Sequence, residues 1–242
     1  MIHSLFSLPI YHTNIANEVD LHTIEKNLLG EFEKSSPSVS PLEKNGGIST
    51  YSSDSQLHKK DYASHLNSII TEHVKKYWKI LNIDSRLEPD IDECWSNIHY
   101  HGSSTEYHSH SLMPIVATFY VKAFANCGEL VLINPMEYGL THIPYDVPIE
   151  QKTETKLEIY SGDLVLFPGW IRHRTEPNYS NNDRIVMSYN FKYKGTYLSS
   201  ESQYPNLDRE FKNSEVENLR NKILSQELII EQLTRNLTNG IT

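Results

Sequence analysis

Between residues 93 and 194 the chain runs through a close succession of short β-type segments, CWSNIHY, IVATFYVKAF, GELVLINP, KLEIY, DLVLFP and RIVMSYNFKY, separated by Gly, Pro, Asn and Asp clusters. About a hundred residues of such strands point to a small barrel or sandwich. The flanks read differently. LFSLPIYHTNI is an extended segment whose Pro9 favours a sheet edge, and Leu21, Ile24, Leu28, Leu29 and Phe32 then recur at helical spacing. Residues 35–47, rich in Ser, Pro and Gly, suggest a surface loop. Residues 60–81 carry Leu66, Ile69, Ile70, Val74, Tyr77, Trp78 and Leu81 on one helical stripe. In the tail, Val216, Leu219, Ile223, Ile230, Leu233 and Leu237 follow a seven-residue pattern broken at Gln226, which suits a dimerising coiled coil or a terminal helix laid on its own barrel. The expected organisation is a single, mainly β domain: residues 1–92 as a flanking strand and helices, 93–194 as the core, 195–242 as a C-terminal helix able to form a homodimer.

Length and charge narrow the function. At 242 residues and 38% hydrophobic content the chain can bury a real core. Twenty-two basic against 31 acidic residues give a formal charge of −9, which removes the positive field that general nucleic-acid binding requires. Cys94 and Cys127 are too few for a disulfide framework or a CxxC zinc site, so a reducing, cytoplasmic setting is expected. No apolar run approaches the ~20 residues needed to cross a bilayer, and the N-terminus lacks the look of a signal peptide.

The 12 histidines carry the chemistry. WSNIHYHGSSTEYHSHS holds His99, His101, His108 and His110, and in extended backbone residues two apart point to one side, about 6.6 Å apart, so His108 and His110 can converge on one metal ion. An isolated HxH is by itself most often a pair of surface imidazoles. The later block GDLVLFPGWIRHRTEPNYSNNDRIVMSYNF is more specific: a strand ends in Pro168-Gly169-Trp170, His173 follows, and Arg184 opens the next strand. Alternation puts Arg184, Val186, Ser188 and Asn190 on one face, where a guanidinium can fork onto a carboxylate and the Ser188 hydroxyl can add a donor. A salt bridge from Arg184 to Asp183 or Glu176 is the plainer alternative.

Taken together, Trp95 with Asn97, His108-Ser-His110, TFYV (118–121), CGELVLINP (127–135) and GDLVLFPGWIRH with EPN and RIVMSYNF resemble the Fe(II)- and 2-oxoglutarate-dependent oxygenases, in particular a group found in bacteria and phages. The resemblance covers roughly residues 93–192 and implies a double-stranded β-helix of the jelly-roll or cupin-like kind. It further implies Fe(II), 2-oxoglutarate as cosubstrate and O2, with oxidative decarboxylation coupled to hydroxylation of a small-molecule or peptide substrate that the sequence does not identify. Carried over residue by residue, it implies His108, His110 and His173 as metal ligands, and Arg184 and Ser188 as holders of the far carboxylate of the oxo acid. Asn97 and Tyr120 are candidates for further hydrogen bonds to it.

One departure matters. Most such oxygenases use His-x-Asp or His-x-Glu plus a distal His, and here His110 stands where the carboxylate would be. Three neutral imidazoles leave the site one unit more positive, and Glu106, on the same face by alternation, is an alternative source of the carboxylate. His99 and His101 are expected at the pocket or its rim, His142 carries no signal beyond exposure, and Trp170 is expected to fill core. Two other functions stay open: a three-histidine cupin-type dioxygenase that uses no oxo acid, and a non-catalytic metal-binding or interaction barrel.

Overall fold

The computed structural model of the protein describes residues 7–34, 41–110 and 112–194. The first part contains β1 (Tyr11–Asn14), α1 (Leu21–Lys34), β2 (Glu43–Lys44), β3 (Ile48–Ser49) and α2 (Ser64–Ile80). Strands follow closely: β4 (Glu88–His99), β5 (Ser104–Thr105), β6 (Ile115–Lys122), β7 (Leu130–Ile133), β8 (Glu154–Leu157), β9 (Asp163–Phe167), β10 (His173–Thr175) and β11 (Arg184–Lys194).

They build a six-stranded sheet in the order β1-β9-β6-β11-β4-β3, a three-stranded sheet β10-β7-β8, and the small pair β2-β5. All the strand pairings are antiparallel. Strands consecutive in space are distant in sequence, which is the mark of the expected double-stranded β-helix. Pro9 lies just before β1, the edge strand of the large sheet, where its missing N–H costs no ladder bond.

The central strands are buried on both faces and therefore read as apolar runs rather than as a clean alternation. On β6, Ile115, Ala117, Phe119 and Val121 join the core layer beneath the helices, while Val116 and Tyr120 point into the barrel. The helices cover the outer face through Ile24, Leu28 and Phe32 of α1 and Leu66, Ile70, Val74, Tyr77 and Trp78 of α2. Each fully buried side chain of this size contributes about 1.5–3 kcal/mol relative to exposure, so the outer layer holds the sheet against which the site is built.

Two expectations are corrected. Residues 41–47 include β2, paired to β5 rather than looping over the surface, and this pairing drives Glu43 inward to 6% exposure. Trp170 is 49% exposed: the chain turns at Pro168, with the Ile171 N–H donating to the Pro168 carbonyl at 3.0 Å, and it is Ile171 that enters the core. The helix read at residues 214–237, and dimerisation through it, lie outside the described residues. Among the described residues no helix is long and apolar enough to cross a membrane.

Candidate metal centre

The backbone brings two of the three histidines together before any side chain is considered. His108 N–H donates to the His173 carbonyl at 3.0 Å, and His173 N–H returns a bond to the His108 carbonyl at 2.9 Å. His110 is held by its N–H to the Gly169 carbonyl at 2.7 Å. A Cβ at Gly169 would lie 2.3 Å from the Met113 carbonyl oxygen and 2.5 Å from that of His110, so this approach needs glycine.

The imidazoles then converge. One ring nitrogen from each of His108, His110 and His173 lies within 4.8 Å of the others, the only such group of potential ligands among the described residues. Their other nitrogens fix the tautomers. His108 Nδ1 donates to the Glu106 carbonyl at 2.8 Å and His173 Nδ1 to the Ile171 carbonyl at 2.9 Å, and a carbonyl can only accept. His110 Nδ1 faces Asn190 Oδ1 at 2.5 Å. Every Nε2 therefore presents a bare lone pair, and that of His110 is buried with no hydrogen-bond partner.

Burial keeps the rings neutral. It lowers the pKa of His108, brings His110 down to about 4, and together with its two histidine neighbours holds His173 well below the ordinary value. Three neutral imidazoles with convergent lone pairs fit a divalent metal ion, and an orphaned buried acceptor is what such an ion would satisfy. Glu106 takes no part through its carboxylate: its side chain is exposed and it contributes only its carbonyl.

The ligands open onto a cavity of about 380 Å³. Alternate residues of three neighbouring strands form its wall: Trp95, Asn97 and His99 from β4, Val186, Ser188 and Asn190 from β11, Thr118 and Tyr120 from β6. The expected residues Asn97, Tyr120 and Ser188 are thus all present. Asn97 is engaged at both ends, accepting from Ser49 Oγ at 2.8 Å and donating to Glu43 Oε1 at 3.0 Å. Burial raises the Tyr120 pKa, so its hydroxyl stays a neutral donor. His99 lines the cavity, whereas His101 is exposed and bonds the Ser180 carbonyl at 3.2 Å, and His142 is exposed.

Arg184 is fully buried but does not line the cavity. Its Nη1 bonds three carbonyls, those of Cys127 (2.5 Å), Gly128 (3.0 Å) and Glu176 (3.2 Å). Gly128 is required here, because at φ +88° a Cβ would stand 2.2 Å from the Glu176 oxygen and 2.6 Å from Nη1. Arg184 forms no salt bridge with the Glu176 carboxylate, which pairs with Lys156 and Arg174 instead. The edge turned toward the cavity wall is Nε and Nη2. Nη2 donates to Thr175 Oγ1 at 2.8 Å, and Nε donates to His99 Nδ1 at 3.3 Å.

Thr175 and Glu43 were not legible as site residues, and of His99 only its place at the pocket was. Thr175 Oγ1 accepts from Arg184 and from the Thr105 N–H at 2.9 Å, which leaves its own hydrogen to donate into the cavity it lines. It stands two residues beyond His173, one same-face step of about 6.6 Å, so alternation could have found it. Because His99 Nδ1 accepts from Arg184, its Nε2 carries the hydrogen and donates to Glu43 Oε2 at 2.7 Å. A neutral imidazole thus links the buried Glu43 carboxylate to Arg184, and no spacing in the sequence announces that link.

A sequence model of the family described as "Putative 2OG-Fe(II) oxygenase" matches residues 93–190. Over that segment, about two fifths of its length, the chain is similar to the 2OG-Fe(II) oxygenases. The matched segment runs from within β4 through most of β11 and contains all three histidines. That family is described by Fe(II) and 2-oxoglutarate, and the histidine cluster has the donor set and spacing to hold a divalent metal ion. No curated protein matches the chain. Among solved structures it is similar to a Pseudomonas putida prolyl-4-hydroxylase, at 13% identity and a TM-score of 0.56, covering 79% of this chain and 96% of that one. It is also similar to a prolyl hydroxylase from Trichoplax adhaerens, at 13% identity and TM-score 0.51, covering 75% and 82%. A third is the non-heme carbocyclase SnoK from nogalamycin biosynthesis, at 10% identity and TM-score 0.52, covering 84% and 86%. At these identities the likenesses establish the shared fold.

Proposed function

We propose that the protein is a cytoplasmic hydroxylase of a small molecule or peptide, with His108, His110 and His173 as the Fe(II) ligands and the inner cavity wall as the seat of 2-oxoglutarate. Fe(II), 2-oxoglutarate and O2 supply the oxidising chemistry, in which the oxo acid leaves as succinate and CO2 and the substrate gains a hydroxyl group. The side chains hold and orient. Thr175, Tyr120 and Ser188 offer hydroxyl donors to the far carboxylate, and Arg184 places its positive charge directly behind Thr175. The apolar share of the wall, including Val116, Leu130 and Val186, limits the water that reaches the metal centre. Cys94 and Cys127 are both free and buried, which suits a reducing compartment.

The observation that carries this reading is the fixed tautomer of all three imidazoles, each with Nδ1 engaged and Nε2 free toward a common point. The test is an anaerobic titration of Fe(II)-loaded protein with 2-oxoglutarate, watching for the weak visible charge-transfer band of a bidentate chelate. Saturation at one equivalent is expected. Iron binding without that band, together with O2 consumption that needs no oxo acid, would favour a cupin-type three-histidine dioxygenase instead.

A further inference from the structure

We propose that Asn190 and Glu93 are positioning residues for the metal ligand His110, and that Glu93 supplies, two hydrogen bonds away, the negative charge that an all-histidine ligand set lacks. The inference rests on His108, His110 and His173 being the Fe(II) ligands.

The orientation of the relay follows from donor and acceptor chemistry alone. Asn190 and Glu93 are direct partners across the β11–β4 ladder, and an Asn190 side-chain atom lies 2.8 Å from Glu93 Oε2. A carboxylate only accepts, so that atom is the amide nitrogen Nδ2. Oδ1 must then face His110 Nδ1, 2.5 Å away, and a carbonyl oxygen there obliges Nδ1 to carry the hydrogen. Only then is Nε2 a bare lone pair, and it is the buried atom left without a partner. Glu93 thereby selects the ligating tautomer of His110 through Asn190.

The ring is fixed from its face as well. Trp95, two residues along β4 and on the same side, stacks on His110 with ring centres 5.6 Å apart and planes 17° from parallel. His110 cannot turn its other nitrogen to the metal without losing the hydrogen bond to Asn190. His108 and His173 differ in this respect, because their Nδ1 atoms bond backbone carbonyls that carry no net charge. His110, which occupies the place of the usual carboxylate ligand, is the one connected to a carboxylate. A charged acceptor polarises the amide, the amide polarises the imidazole, and the imidazole becomes a stronger ligand.

A purely structural pairing would need hydrogen bonding but no charge, and Glu93→Gln separates the two, since its amide oxygen still accepts from Asn190. Metal-free full-length protein is titrated anaerobically with Co(II), following the visible ligand-field bands, and its urea unfolding is measured in parallel. Glu93→Gln is expected to weaken Co(II) binding about tenfold or more with little change in the unfolding midpoint. The double variant Glu93→Gln/Asn190→Asp moves the carboxylate directly onto His110 Nδ1 and is expected to restore the affinity. Wild-type Co(II) affinity in Glu93→Gln would overturn the proposal, as would equal weakening in the single and double variants. Failure of the wild-type protein to bind Co(II) would instead strike the ligand assignment itself.

Discussion

Replacing Glu43 by Gln should move ligand binding and stability in opposite directions. The Glu43 carboxylate and the Arg184 guanidinium are joined by hydrogen bonds of 2.7 and 3.3 Å on either side of the His99 ring, which puts the two charges about 8 Å apart. At an effective dielectric constant of about 20, opposite unit charges at that distance attract by about 2 kcal/mol. Glutamine keeps the size and an acceptor for His99 but removes this attraction, so buried Arg184 loses its counter-charge and metal-free protein should lose about 2 kcal/mol of unfolding free energy. The same loss leaves more positive potential behind Thr175. A dicarboxylate bound there no longer meets the opposing charge of Glu43, and 2-oxoglutarate should bind more tightly, by up to about thirtyfold for 2 kcal/mol. Urea unfolding of the metal-free protein gives the first quantity, and the anaerobic visible titration of the Fe(II) form gives the second. Weaker binding of 2-oxoglutarate in this variant would show that the oxo acid does not sense Arg184, and the placement of its far carboxylate would then be wrong.

Further outcomes follow from the same geometry. His173→Ala should abolish Fe(II) binding, whereas Arg184→Ala should keep iron and weaken 2-oxoglutarate several-fold or more; equal iron loss in both, read by metal content, would mean the roles are misassigned. Arg184→Ala should also destabilise the metal-free protein by about 3–5 kcal/mol in urea unfolding, because the Cys127, Gly128 and Glu176 carbonyls lose their shared donor and Glu43 loses its counter-charge. The metal-free protein should be pH-sensitive: His110, at about 4, and His173 titrate below the unfolded value of about 6.5, so below that pH the unfolded chain binds more protons. Stability should therefore be fullest above about pH 6.5 and fall as the pH drops toward 4. A flat profile of unfolding midpoint against pH over this range would contradict neutral, buried imidazoles.

Periodicity and residue type by themselves determined most of the frame. Apolar spacing placed α1 and α2, β-branched runs placed the central strands, and a period of two put Val186, Ser188 and Asn190 on the cavity side of β11 together with Asn97 on β4. The convergence of the three histidines was legible because an HxH spacing survives in one dimension, and because a resemblance across residues 93–192 tied it to a histidine more than sixty positions away.

Where the buried charges are balanced was settled by packing between elements. Glu43 lay in a segment whose composition suggested a surface loop, yet pairing of β2 with β5 delivers it to His99, 56 residues away in sequence. Arg184 was expected to reach the cavity with an open fork, and three carbonyls from two loops draw Nη1 away behind Thr175. Trp170 was placed by hydrophobicity, and a turn at Pro168 put it outside. The reason is common to all three. Periodicity reports which face of its own element a residue occupies, whereas the partner of a buried charge is chosen by contacts between elements remote in sequence, and desolvation makes that choice obligatory.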